Sequence, residues 1–141
     1  MAVTAIQVSL KAWLPSGKPL QAAAFVNRVS IALSDLLDRH KGPGHARIDL
    51  LCMQPSDFAS SPDPAAAYVA HTADRVRAFA GWLGRQDPAV FDDLRRAGCV
   101  TEVSVWVVGT AGEAVVLALP PELMVECGRL GLQLALAASI S

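Results

Sequence analysis

The run from residue 100 to 108 constrains the fold more than any other. Thr101, Val103, Val105 and Val107 alternate with Glu102, Ser104 and Trp106. β-branched residues at period two form a strand with one buried face. A strand cannot satisfy its own backbone groups, so the chain must supply neighbours and a cover.

Period two recurs elsewhere. Residues 4–14 place Ile6, Val8, Leu10, Ala12 and Leu14 on one face and Gln7, Ser9 and Lys11 on the other. Residues 46–53 read as a strand apolar on both faces, through Ile48, Leu50 and Cys52 against Leu51 and Met53, as a central strand requires. Gly109-Thr110-Ala111-Gly112 reads as a turn joining residues 100–108 to a partner strand at 114–119, which predicts a hairpin. Leu132, Leu134, Leu136, Ala138 and Ile140 alternate to the end.

The cover comes from segments at helical period. Ala22, Phe25, Val29, Leu33 and Leu36 predict an amphipathic helix over residues 20–39, with Arg39, His40 and Lys41 at its C-terminus and Gly42-Pro43 as the stop. Asp63-Pro64 and Asp87-Pro88 are N-cap acids followed by proline at the first helical position. The first opens a helix striped by Val69, Ala73, Val76, Ala80 and Leu83; the second opens a short one ending at Gly98. Pro120-Pro121 opens a last helix. The expectation is one α/β (α+β) domain over residues 1–141. Its mixed five-stranded sheet is packed with helices in the order β-α-β-α-α-β-β-α-β.

Composition excludes several functions. The chain is 52% apolar and 18% charged, with net charge −1 over 141 residues. Disorder needs low hydrophobicity and high charge. Nucleic-acid binding needs a basic excess that this chain lacks. No apolar stretch reaches 18 residues and no secretory signal opens the sequence, so neither a membrane span nor export is expected. Cys52, Cys99 and Cys127 are odd in number and match neither a CxxC pair nor a zinc set. Reduced, buried thiols in a cytoplasmic protein are the reading.

Catalytic and metal motifs are not found. His40 and His45 lie five apart across Gly42-Pro43-Gly44, a spacing that does not put them on one helix face, so no metal and no cofactor are expected. His71, three residues before Asp74, reads as part of a charged helix surface. No GxSxG elbow is present, and Ser16-Gly17-Lys18 lacks the upstream glycine of a phosphate loop. Cys99 has no neighbour that would activate it. Asp92 and Asp93 diverge on a helix beside Arg95 and Arg96, and Glu122 with Glu126 lacks a third ligand. If a small ligand or substrate binds, His40, His45, Arg47 and Asp49, with the 54–64 loop, are the place to look.

Aromatic side chains anchor protein interfaces. Trp13, Phe58, Trp82 and Trp106 are the partner-binding candidates, because the tryptophans fall off the strictest apolar stripes and Phe58 sits in the longest loop. Leu94, Gly98, Val103-Ser104-Val105-Trp106, Pro121-Glu122-Leu123 and Leu130-Gly131-Leu132 together resemble a group of small bacterial domains of unknown function. The resemblance covers the last third of the chain. Some members of that group are immunity proteins, which neutralise a toxin by binding it, so it implies a non-enzymatic protein-binding module with a toxin or effector as partner and no catalytic residue. Two other readings stand beside it: a small enzyme or ligand-binding domain at the histidine loop, and a self-assembling subunit such as a homodimer, because an apolar excess must be hidden somewhere.

Overall fold

The computed structural model describes residues 3–14, 39–41, 45–49, 53–112 and 117–140, with residues 39–41 and 45–49 described for their backbone alone. The expected helix at 20–38 and the segments 50–52 and 114–116 lie outside the described residues.

Three long strands make the body of a mixed sheet: β1 (Val3–Trp13), β4 (Val100–Gly109) and β5 (Gln133–Ile140). β1 runs antiparallel to β4, and β4 parallel to β5. Two short strands, β2 (Arg39–Lys41) and β3 (His45–Asp49), extend the sheet beyond β1, giving the order β2-β3-β1-β4-β5. Among the described residues three helices cover one face: α1 (Pro64–Gly84), α2 (Pro88–Arg96) and α3 (Pro121–Leu130).

The general α+β class stands, but the expected strand set and element order are corrected. Both edges of β4 are occupied, by β1 along its whole length and by β5 from Glu102 onward. No room is left for a hairpin partner, and residues 117–119 are not a strand. Their apolar character has another cause: Leu117 and Leu119 pack against the core. Arg39, His40 and Lys41 are extended as β2 rather than closing a helix. The strand expected over 46–53 spans His45–Asp49, and Met53 is outside it.

The helix starts follow their sequence signals. Asp63 and Asp87 accept hydrogen bonds from the N–H groups of Ala66 (3.1 Å) and Ala89 (2.9 Å), satisfying donors that a helix N-terminus leaves free. α3 ends at Gly131 in the left-handed region (φ +68°), and the Leu132 N–H reaches back to the Cys127 carbonyl at 2.8 Å. Arg95 of α2 closes the same end by donating to the Leu130 carbonyl at 2.5 Å, while pairing with Asp92.

The core lies between the helices and one sheet face. Ile6, Val8, Leu10 and Ala12 of β1 stand opposite Val107, Val105, Val103 and Thr101 of β4, and all are buried. Tyr68, Val76, Phe79, Leu83, Phe91, Leu123 and Leu130 close over them. The α1 stripe is rotated from the sequence expectation. Tyr68, Thr72 and Trp82 turn inward, whereas Val69 and Ala73 are half-buried. The Tyr68 hydroxyl explains part of this rotation. It donates to the Ile6 carbonyl and accepts from the Ile6 N–H, both at 3.1 Å. β3 pairs with β1 over Ser9–Trp13, and ahead of that stretch a helix side chain takes the role of a strand neighbour.

Candidate functional site

The sheet face away from α1, α2 and α3 carries the second set of β1 and β4 side chains. The antiparallel register sets Gln7 opposite Trp106, Ser9 opposite Ser104 and Lys11 opposite Glu102. Directly opposed residues share a sheet face. A cavity of about 270 Å³ is lined there by Gln7, Ser9, Lys11, Ser104, Trp106 and Ala137. Trp106 is 40% exposed and Ser9 is buried.

Two sets of sequence candidates converge on this side of β1. By register Trp13 pairs with His45, Lys11 with Arg47 and Ser9 with Asp49. Trp13 and Trp106, expected as partner anchors, therefore belong to the same sheet region as His45, Arg47 and Asp49, expected as ligand residues. The signal for this convergence was the parity of the strands; what one sequence cannot show is which strands are neighbours. His40 does not join them. It pairs with Ile48, which pairs with the buried Leu10, so its register row is that of the core.

The other two aromatic candidates sit on the helical side. Trp82 is 1% exposed and stacked on Phe79 at 5.9 Å between ring centroids, so its expected role as a surface anchor is corrected: it fills the core between α1 and its neighbours. Phe58, in a 3-10 turn at Pro55–Phe58, is half-buried and leans on Tyr68 and His71, with centroids 6.1 and 5.6 Å apart. His71 thus packs against an aromatic ring, and the nearby Asp74 pairs with Arg77 at 3.1 Å.

The lining of the cavity determines its chemistry. Two hydroxyls, an amide, an ammonium and an indole surround it, and all of these groups donate hydrogen bonds. Beside the lining, the register sets Glu102 opposite Lys11 and Asp49 opposite Ser9. The arrangement suits reception of an acceptor-rich group, such as a carbonyl or carboxylate, with the Trp106 face as apolar flank. Sequence reasoning missed Gln7, Ser9, Lys11 and Ser104, which are ordinary polar positions of alternating strands until the register brings them together.

The thiols are placed away from this chemistry. Cys99 and Cys127 are free and buried. Burial pushes the Cys99 thiol up. Burial, reinforced by the Glu126 charge, pushes Cys127 up to about 11, and a raised pKa removes the thiolate that reactivity needs. Among the described residues no three His, Cys, Asp or Glu side chains gather in a metal-binding group. No helix among them is long and apolar enough to cross a membrane. No protein family, curated protein or solved structure matches the chain.

Proposed function

We propose that this chain is a non-enzymatic protein-binding module, an immunity-type inhibitor that neutralises a toxin or effector by contact, and that the sheet face around Trp106 is its contact face. One observation carries the reading. Trp106 is 40% exposed at the mouth of a donor-lined cavity, whereas Trp82 is packed into the core. A half-exposed tryptophan beside a pocket is the arrangement that interface anchors take. The Lys11 ammonium in the lining suits a carboxylate of the partner. The near-neutral charge of −1 favours shape and apolar contact over acidic mimicry of nucleic acid. A cytoplasmic setting belongs to this reading, supported by the free thiols of Cys99 and Cys127.

The test is co-expression with the product of the adjoining gene. The proposal expects the two proteins to co-purify as a stoichiometric complex and the cells to survive a partner that is toxic alone. Separate elution of two folded proteins, with toxicity unrelieved, overturns it.

A further inference from the structure

A second surface lies at the opposite side of the sheet from β2. β5 ends the sheet order, so among the described residues its outer edge has no strand beside it. Edge strands of monomers are blunted by charges, prolines, bulges or shortness. β5 has none of these. Its eight residues, Gln-Leu-Ala-Leu-Ala-Ala-Ser-Ile, carry no charge and no proline, and its register with β4 runs unbroken from Gln133 to Ile140. Leu136 is 65% and Ile140 72% exposed, although their parity is that of the buried β4 residues Val105 and Val107. Leu136 borders an apolar groove of about 250 Å³ shared with Val105, Val107, Leu117 and Leu119.

We infer that β5 pairs antiparallel with β5 of a second copy of this chain, joining two sheets into one across a two-fold axis at Ala137. Two-fold pairing sets each residue opposite one of the same parity, so apolar faces meet apolar faces. With the axis at Ala137, Leu136 faces the small Ala138 of the second copy, and Leu134 faces Ile140. Every large side chain of the strand then has a cross-strand partner. An axis at Leu136 would set two leucines against each other and leave Ile140 with no partner on the facing strand.

The neighbouring helix continues this surface. Arg129 reaches towards α1, donating to the carbonyls of Leu83 (2.7 Å) and Gln86 (3.1 Å). Met124 stands about 140° around α3 from Arg129, on the flank away from α1, and is exposed. The exposed parts of Leu136, Ile140 and Met124 amount to on the order of 700 Å² over two copies, and the two backbone edges bring the total towards the roughly 1,200 Å² at which stable interfaces begin. Ala137, at the axis, also lines the Trp106 cavity, so the two surfaces adjoin; the mass and cross-linking of the chain alone test this pairing with no partner protein present.

Cysteine cross-linking tests the axis directly. Opposed residues of antiparallel strands have Cα atoms about 4.5–5.5 Å apart, within disulfide reach. In Ala137→Cys the two new thiols meet at the axis. In Ser139→Cys they lie roughly 13–14 Å apart. The proposal expects a dimer mass by light scattering at tens of micromolar, rapid oxidative cross-linking of Ala137→Cys, and cross-linking of Ser139→Cys no faster than that of the unsubstituted chain. Leu136→Lys should give a monomer with unchanged circular dichroism. A folded wild-type monomer at about 200 μM, or a dimer in which Ala137→Cys cross-links no faster than the unsubstituted chain, overturns it.

Discussion

The Tyr68 hydroxyl offers the sharpest test of how this fold is held. It is buried and satisfies both backbone groups of Ile6 at 3.1 Å. Tyr68→Phe keeps the ring and its packing but removes both hydrogen bonds. It leaves a buried N–H and a buried C=O without that partner, and each orphaned group costs about 1–3 kcal/mol. Phenylalanine gains back the cost of burying a hydroxyl, so the net loss should be about 2–3 kcal/mol. For a domain of this size that lowers Tm by roughly 5–10 °C. Urea titration and calorimetry of both proteins measure it. Thr72→Val is the comparison, because its hydroxyl only bonds back to the Tyr68 carbonyl within α1, at 2.9 Å, and its loss should cost under about 1 kcal/mol. A Tyr68→Phe protein within about 0.5 kcal/mol of wild type would refute the argument that this hydroxyl substitutes for a strand.

Two further outcomes follow from the same packing. Gly131→Ala should destabilise by about 2 kcal/mol, because φ is +68° there and the new Cβ would lie 2.5 Å from Arg95 Nη1, whereas Gly128→Ala, inside α3 with open space around it, should stabilise by about 0.5–1 kcal/mol; urea midpoints compare them. The thiols of Cys99 and Cys127 and the Tyr68 phenol all have raised pKa values in the folded state, so the unfolded chain releases these protons first. The Cys127 contribution is complete below about pH 9 and is lost as pH rises through about 11, and Cys99 and Tyr68 act in the same direction; urea titrations at pH 7.5 and 10.5 should show the fall, and equal stability would contradict the burial of these groups.

The elements whose signals are local were legible in the sequence. Asp63-Pro64, Asp87-Pro88 and Pro120-Pro121 marked helix starts through capping chemistry and a fixed proline φ that act within one turn. The alternation of residues 100–108 gave β4 and its buried face. Strand adjacency was not legible, because it depends on residues far apart in the chain: β1 and β4 are separated by more than eighty residues. The apolar Leu117 and Leu119 looked like a strand, yet they cover a core whose β4 edges are already taken. Trp82 looked peripheral on its stripe because α1 is rotated by Tyr68 and Thr72 turning inward. The candidate face was half legible: Trp106 and Trp13 were visible as residues off the core stripes, but the cavity required the β1–β4 register.

The central claim is that the Trp106 face binds a protein partner. Isothermal titration of the adjoining gene's product into the chain and into its Trp106→Ala variant measures it most directly. The account predicts saturable binding to the wild type and, at unchanged Tm, affinity lowered at least about tenfold in the variant, since interface tryptophans carry about 2 kcal/mol or more. Equal affinity for both proteins, or no heat of binding to either, would contradict it.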